Sequence, residues 1–204
     1  MLLAPHRAPA PARPVGREIN TVLRPGARPT ADGAARLTVD QRVGQGRAMA
    51  TPEFITTLRA SAGQQLLWLP GVSAVVFNEQ GEVLLGRRAD TGNWAVLAGM
   101  PEPGEQPAEA AVREVLEETG VHCVVERVVS VDAQPAIVYP NGDRCQFMDI
   151  TLRCRAVGGE ARVNDDESLE VGWFPPTALP ELSTRSLDRI ARAQGEEPTW
   201  FAAP

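Results

Sequence analysis

The chain contains no lysine, so all 20 of its basic residues are arginines. A P-loop nucleotide-binding site needs a lysine that reaches the phosphates, and that class of protein is therefore excluded. The G-x-S-x-G sequence of a serine-hydrolase nucleophile is also missing. Histidine occurs only at His6 and His122, which are too few and too far apart for a histidine metal centre.

Cysteine is scarce as well. Cys123, Cys145 and Cys154 are odd in number, include no C-x-x-C pair and lie in strand-like stretches. This pattern is typical of small core residues in a reducing compartment and argues against a disulfide framework. No apolar run is long enough for a transmembrane helix. We therefore expect a cytoplasmic protein without a membrane partner.

The first 48 residues differ in composition from the rest. They are rich in Pro, Ala, Gly and Arg, lack helical or strand periodicity and carry a net charge of +5, against −11 for the remainder. We predict a disordered extension over residues 1–48 and a folded domain over residues 49–204. Met49 is an alternative initiator, because folded patterning begins directly after it. The acidic domain argues against a nucleic-acid partner.

Alternating and β-branched segments predict a set of strands with helices at either end. Strands are expected at residues 71–77, 82–87, 94–97, 121–131, 136–139, 143–155 and 171–174. Asn141-Gly142 predicts a two-residue hairpin. A first helix is expected to begin at Thr51-Pro52-Glu53, and a terminal helix to span Ser186–Ala193 with Leu187 and Ile190 inward. The fold class is therefore α+β.

The densest chemical signal is the stretch GMPEPGEQPAEAAVREVLEETGV at residues 99–121. On a helix, Glu114, Glu117 and Glu118 fall within an arc of about 100°. We expect them on one exposed face. The opposite, buried face is expected to hold Val112, Val115, Leu116 and Thr119. Like charges this close raise one another's pKa values, and a hard divalent cation such as Mg²⁺ or Mn²⁺ would relieve the repulsion.

Residues around the acid cluster favour the same interpretation. Arg113 precedes Glu117 by about one helical turn and is placed to orient it. Gly99 and Gly104, together with two prolines, predict a rigid loop whose backbone carbonyls can approach a metal. Gly120 is expected to end the helix. A charged helix face that is merely solvated would not need these residues at fixed spacings.

This stretch resembles the Nudix box, G-x5-E-x7-R-E-U-x-E-E-x-G-U, in which U is apolar. All nine specified positions are filled without a gap: Gly99, Glu105, Arg113, Glu114, Val115, Glu117, Glu118, Gly120 and Val121. Trp94 and Leu97 precede the box as they often do in that family, whereas the frequent Gly-Gly pair is Ala98-Gly99 here. The resemblance extends in layout from Gly71 to Phe174 and implies an α/β/α sandwich with a mixed sheet.

The resemblance also implies an activity, the hydrolysis of a pyrophosphate bond in a nucleoside diphosphate linked to another moiety. The substrate would be of the nucleotide-sugar or ADP-ribose type, or a nucleoside triphosphate removed by house-cleaning. The implied cofactor is Mg²⁺, with Mn²⁺ as a substitute. By matching positions, Glu117 and Glu118 are expected to be the principal metal ligands and Glu114 a further ligand. The Gly99 carbonyl would complete the set.

Catalytic roles follow from the same resemblance. Arg113 is expected to hold the glutamates in register, and Glu105 to buttress the loop. The general base is either a box glutamate, Glu114 or Glu117, or an acid from a downstream loop, for which Glu167 is the candidate. A solvated acidic loop would explain that downstream segment equally well.

Substrate-binding residues are expected outside the box. Arg87 and Arg88 end a strand shortly before it, and alternation lets only one of them face the site. Tyr139 and Gln146 flank the predicted hairpin and are candidates for contacts to a base, although core or surface roles explain them equally well. In that family, a proline or a tyrosine downstream of the box helps to distinguish sugar-diphosphate from dinucleotide substrates. This chain has both, Pro135 and Tyr139, so they do not decide between the two.

Two other functions remain open at this point. A non-catalytic Nudix-like ligand sensor usually has an eroded box, and the intact acids argue against it. An isopentenyl-diphosphate isomerase reuses the fold but needs a catalytic cysteine and glutamate outside the box, whereas Cys145 and Cys154 have the pattern of strand residues. The expected partner is a small-molecule nucleotide, and the sequence is compatible with a homodimer.

Removal of residues 1–48 should leave folding and catalysis intact, because the folded patterning begins after them. Urea unfolding and pyrophosphate-hydrolysis assays on the full chain and on residues 49–204 check this expectation. A large loss of stability or turnover in the shortened chain would contradict it.

Overall fold

The computed structural model describes residues 52–139 and 141–202. The predicted extension at residues 1–48, Met49 and the predicted helix start at Thr51 lie outside the described residues. The described part has three helices: α1 (Glu53–Ala62), α2 (Pro107–Thr119) and α3 (Thr184–Gln194). Its strands are β1 (Leu67–Phe77), β2 (Val83–Arg88), β3 (Trp94–Ala95), β4 (Leu97–Gly99), β5 (Val121–Ala133), β6 (Ile137–Val138), β7 (Arg144–Gly159) and β8 (Ser168–Phe174).

The eight strands of the described part form one mixed sheet. Its central strand, β1, pairs in parallel with β7 along its whole length, and antiparallel with β2 and β4. On the outer sides, β5 pairs antiparallel with β7, and β8 pairs antiparallel with β2. The predicted α+β class with a mixed sheet is confirmed.

Alternation along β1 supplies a hydrophobic core to each face of the sheet. One core joins Val72 and Val76 to Val115 of α2. The other joins Val75 to Ile190 of α3. Because successive residues of a strand point to opposite faces, α2 and α3 cover opposite sides of the sheet. The predicted α/β/α sandwich is therefore confirmed.

Local sequence explains where α2 begins and ends. Gln106 and Glu109 form a capping box, and Pro107 occupies the first turn, where its missing N–H has no helical partner to lose. Gly120 adopts a left-handed conformation with φ 69° and donates its N–H to the Leu116 carbonyl. The predicted end of the helix at Gly120 is confirmed.

The terminal helix differs from the prediction in its orientation. Leu187 is 44% exposed, although it was expected to face inward. The buried stripe of α3 runs instead through Ser186, Ile190 and Ala193. These three residues recur at the spacing of one helical face, and Leu187 lies about 100° away from that face.

Two strand predictions also differ in detail. The single strand expected at residues 94–97 is interrupted at Val96, between β3 and β4. The hairpin at Asn141-Gly142 is longer than two residues, because β6 ends at Val138 and β7 begins at Arg144. The Tyr139 N–H donates to the Asp143 carbonyl at 2.8 Å, and Asn141 Oδ1 accepts the Asp143 N–H at 3.0 Å within the loop.

All three cysteines are buried and unpaired, as the strand positions predicted. No helix among the described residues is long and apolar enough to cross a membrane.

Gly159→Ala should destabilise the fold far more than Gly158→Ala. Gly159 has φ 84°, and a Cβ there would overlap the Gly120 carbonyl oxygen, whereas a Cβ at Gly158 would meet nothing within 4 Å. We expect Gly159→Ala to lower the free energy of unfolding by about 2 kcal/mol or more, because it adds left-handed strain to a backbone clash. Urea titration of the two variants checks this, and equal stabilities would contradict it.

Candidate active site

The three clustered glutamates of α2, Glu114, Glu117 and Glu118, lie in three different environments, not on one exposed face. The Glu117 side chain is 55% exposed and the Glu114 side chain 17% exposed, while Glu118 is buried. The buried residues of α2 are Ala110, Ala111, Val115, Glu118 and Thr119. The expectation was wrong because packing against the sheet centres on Ala111 and Val115, so that the buried face reaches Glu118.

Arg113 connects α2 to the loop that precedes it. Its Nε and Nη2 donate to the Glu105 carboxylate at 2.9 Å each. Its Nη1 donates to Glu114 and Glu117 at 3.0 Å each, and Nη2 also reaches the Met100 carbonyl at 3.2 Å. The hydrogen bond with Glu105, followed by attraction to Glu114, raises the pKa of Arg113. One guanidinium thus ties together three carboxylates of the box.

Gly99 lies so close to Glu114 that a side chain would not fit. A Cβ at this position would overlap the Glu114 carboxyl group. The Met100 N–H donates to Glu114 Oε1 at 3.3 Å, and burial raises the pKa of this carboxyl. The loop backbone therefore lies directly against the carboxylate, which requires glycine at position 99.

The Glu118 carboxyl is buried among other acids. Burial raises the pKa of Glu118 well above its usual value, and repulsion from Glu114, Asp165 and Glu167 adds to the effect. Arg88 partly opposes it. Glu118 Oε1 has no hydrogen-bond partner among the described residues. A buried carboxylate without compensation costs several kcal/mol, so this position favours a bound cation.

The loop between β7 and β8 brings Glu167 to the same region. Asp165 Oδ1 accepts the Glu167 N–H at 2.9 Å, and the Glu167 carbonyl accepts the Ala89 N–H at 2.8 Å. Burial, followed by repulsion from Asp165 and Glu114, raises the pKa of Glu167. The structure therefore places this sequence-predicted acid within electrostatic range of the box glutamates.

Of the two candidate arginines, Arg88 lines the cavity beside the acids and Arg87 does not. Arg88 makes a bidentate ion pair with Asp90: its Nε donates to Oδ1 at 2.9 Å and its Nη2 to Oδ2 at 2.6 Å. Arg87 turns away, where it bonds Glu170 at 2.7 Å and the Gly92 carbonyl at 2.9 Å. The structure does not bring Arg87 to the box glutamates, because neighbouring residues of a strand face opposite sides.

The two candidates near the hairpin also separate. Tyr139 lines the cavity, whereas Gln146 does not. Gln146 Nε2 donates to the Gln134 carbonyl at 2.9 Å and so supports the strand end. Gln134 itself lines the cavity, and sequence reasoning missed it because a single glutamine after a strand belongs to no motif.

The cavity that joins these groups has a volume of about 560 Å³, within the range of small-molecule sites. One part of its wall carries Glu114, Glu167 and Arg88. Another part carries Asp149 and Arg189, whose ion pair of 2.8 Å links β7 to α3. Sequence reasoning missed this pair too, because β7 alternates polar and apolar residues and one more polar residue in it belongs to no motif.

The donor groups fit a hard divalent cation, as the unpartnered Glu118 oxygen and the surrounding carboxylates indicate. Within residues 52–139 and 141–202, however, no three His, Cys, Asp or Glu side chains already converge as a ligand set. Arg113 instead holds Glu114 and Glu117. Capture of a cation would therefore require these carboxylates to turn from Arg113 towards Glu118.

A family model described as the NUDIX domain matches residues 67–194, from the start of β1 to the end of α3. The chain belongs to the Nudix family. The residues that carried the resemblance, Gly99 to Val121, lie inside this Nudix domain, and so do the four glutamates Glu105, Glu114, Glu117 and Glu118.

Relatives of known name share this Nudix domain. The human protein named 8-oxo-dGDP phosphatase NUDT18 is 40% identical over 115 residues, which are 53% of this chain and 33% of that protein. The chain thus spans about a third of this relative's length. A Bacillus subtilis (strain 168) protein named putative 8-oxo-dGTP diphosphatase is 32% identical over 114 residues, or 56% of this chain and 71% of the relative.

Among solved structures, the MutT Nudix hydrolase from Burkholderia pseudomallei superimposes with a TM-score of 0.50 and 26% identity. The superposition covers 62% of this chain and 98% of that protein. The superposed part of this chain therefore corresponds to nearly the whole of that Nudix hydrolase.

Glu118→Gln should stabilise the metal-free protein at neutral pH. Burial raises the pKa of Glu118 in the folded state, so stability is lost as pH rises from the unfolded-state pKa, about 4.3, through the higher folded value. Glutamine carries no charge, so the variant should not lose stability in this way as the pH rises. Urea unfolding in EDTA from about pH 5 to pH 8 measures the effect.

Glu79→Gln, in an exposed turn, is the matched control and should follow the wild type. With Mg²⁺ added, the wild type should gain stability and Glu118→Gln should gain less. A Glu118→Gln variant with the same pH dependence as the wild type would contradict the buried charge.

Proposed function

We propose that this Nudix protein hydrolyses a pyrophosphate bond of a nucleotide in a reaction that depends on Mg²⁺ or Mn²⁺. The observation that carries the proposal is the buried Glu118 carboxyl, whose Oε1 lacks a hydrogen-bond partner among the described residues and which lies in the field of Glu114 and Glu167. A fold keeps such a group only if something compensates its charge. A cation that also binds a pyrophosphate supplies that compensation.

Glu117 and Glu118 are the proposed principal ligands, with Glu117 joining from the exposed edge of α2 and Glu114 as a further ligand. The Gly99 carbonyl would add a neutral oxygen beside Glu114. When bound, the cation would neutralise negative charge on the pyrophosphate and favour attack by water. Arg113 keeps its role as the residue that holds the glutamates in register between turnovers.

The remaining steps belong to side chains of the chain itself. Arg88 supplies a fixed positive charge at the cavity wall, where it can contact a phosphate oxygen while keeping its ion pair with Asp90. Glu167 is the proposed general base, since it lines the cavity and its raised pKa makes it a stronger proton acceptor. Water adds to phosphorus, a P–O bond of the bridge breaks, and the proton from water passes to Glu167.

For the substrate class, we propose nucleoside diphosphates or triphosphates that carry an oxidised guanine. The names of the human and Bacillus subtilis relatives support this choice, since both specify 8-oxo-dG nucleotides. The nucleotide-sugar and ADP-ribose types stay as the alternative. A cytoplasmic location and a homodimer also stay predictions from the sequence.

The isomerase alternative finds little support. It requires a reactive cysteine at the site, and among the described residues that line the cavity there is no cysteine. The ligand-sensor alternative is disfavoured by the intact set of box acids, and the assay below separates it from an enzyme.

Hydrolysis of 8-oxo-dGTP, 8-oxo-dGDP, ADP-ribose and a UDP-sugar, each with Mg²⁺ or Mn²⁺, tests the proposal. We expect the 8-oxo-dG nucleotides to be cleaved fastest. Glu118→Gln should lower kcat/KM by about a hundredfold or more, the scale on which loss of a charge-stabilising group slows an enzyme. Glu79→Gln should turn over like the wild type. If none of these nucleotides is hydrolysed, or if Glu118→Gln hydrolyses them at the wild-type rate, the proposal is overturned.

A further inference from the structure

Gln134, just beyond the end of β5, carries a buried polar atom that the reaction described above does not use. The residue is only 4% exposed and lines the cavity. Its backbone is fixed, since its N–H donates to the Phe147 carbonyl at 2.8 Å. Its side-chain Oε1 has no hydrogen-bond partner among the described residues. Leaving a buried acceptor unpaired destabilises a fold, so the atom is kept for a partner that comes from outside.

The orientation of the Gln134 amide follows from its other contact. Nε2 donates to Asp132 Oδ2 at 2.7 Å. A carboxylate only accepts hydrogen bonds, so the nitrogen must face Asp132 and the oxygen must be the free end. The unpaired group is therefore an acceptor, and the missing partner must be a donor.

Asp149 cannot supply that partner, because a carboxylate only accepts hydrogen bonds and those of Asp149 are already made within the fold. It stands opposite Asp132 in the β5–β7 ladder. Ser73 Oγ donates to it at 2.9 Å, Thr151 Oγ1 at 3.0 Å and Arg189 Nη2 at 2.8 Å. These bonds make this part of the cavity wall a rigid polar surface that joins two strands to α3.

A second unused group faces the same cavity from α3. Arg185 lies one turn before Arg189 and lines the cavity, and among the described residues its side chain makes no hydrogen bond or ion pair. Burial, followed by repulsion from Arg189, lowers the pKa of Arg185. A guanidinium remains charged even so, and it only donates hydrogen bonds. The wall thus offers one acceptor, at Gln134, and one cationic donor, at Arg185.

We propose that Gln134 and Arg185 form a base-recognition site, in which Gln134 Oε1 accepts a ring N–H of the nucleobase and Arg185 donates to a neighbouring carbonyl oxygen. This assignment rests on the proposed function, because it needs a nucleotide whose phosphates lie at the acid cluster. It selects bases with an N–H beside a C=O, as in guanine and its oxidised forms. Adenine and cytosine present a ring nitrogen acceptor beside an amino donor and leave both protein groups mismatched.

The test compares Gln134→Leu with the wild type on dGTP, N1-methyl-dGTP and dATP, all with Mg²⁺. N1-methylation removes the proposed donor from the ligand, as the leucine removes the acceptor from the protein. We expect the wild type to prefer dGTP over N1-methyl-dGTP by about tenfold or more in kcat/KM, and Gln134→Leu to lose most of that preference. Hydrolysis of dATP should change little. Arg185→Gln should likewise lower kcat/KM for dGTP more than for dATP.

Gln80→Leu makes the same chemical change in an exposed turn and should leave the preference unaltered. Urea unfolding of each variant shows whether the fold is kept. An equal loss of rate on all three nucleotides, with the dGTP preference unchanged, would make Gln134 a structural residue and overturn the assignment.

Failure of the proposed function has a different signature, since no nucleotide would then be hydrolysed by the wild type. In that event, calorimetric titration with dGMP and N1-methyl-dGMP tests whether Gln134 recognises the base. The wild type should then bind dGMP but not N1-methyl-dGMP, and Gln134→Leu should bind neither. That result would support the base-recognition site without the proposed hydrolysis. Equal binding of dGMP to the wild type and to Gln134→Leu would overturn it.

Discussion

A buried carboxylate needs a counter-charge, and the architecture around Glu118 follows from that need. The packing of α2 on the sheet buries Glu118 along with the apolar residues Ala111 and Val115. Other acids lie close enough to raise its pKa further. Arg88 offsets part of this cost, and a divalent cation would remove most of the rest. The empty site is thus unfavourable, and the proposed cation would stabilise it.

The position of that carboxylate depends in turn on the sheet. Alternation along β1 gives one face to α2 and the other to α3, and the parallel pairing of β1 with β7 places Asp149 at the cavity wall. The acids proposed for catalysis come from α2 and the β7–β8 loop, while the polar groups proposed to read the base come from the residue that follows β5 and from α3. Helix α2 of the first set and helix α3 of the second cover opposite faces of the sheet.

Local features of the molecule were predictable from the sequence. The limits of α2 follow from the capping box at Gln106 and the left-handed Gly120, both of which are properties of a few adjacent residues. The spacing of the box likewise indicated which residues would gather. The rotation of α2 was not predictable, because it depends on how the helix packs against strands far away in the sequence. For the same reason Glu118 turned out to be buried and Leu187 exposed.

The parallel ladder between β1 and β7 has a consequence for how the chain is synthesised. Leu67 pairs with Cys145 and Phe77 with Arg155, so the central strand lacks its longest partner until residues beyond the box have left the ribosome. Non-local pairing of this kind slows folding and leaves apolar strand edges exposed in the interval. The same connection that unites the two walls of the cavity therefore makes the nascent chain prone to aggregation while it is incomplete.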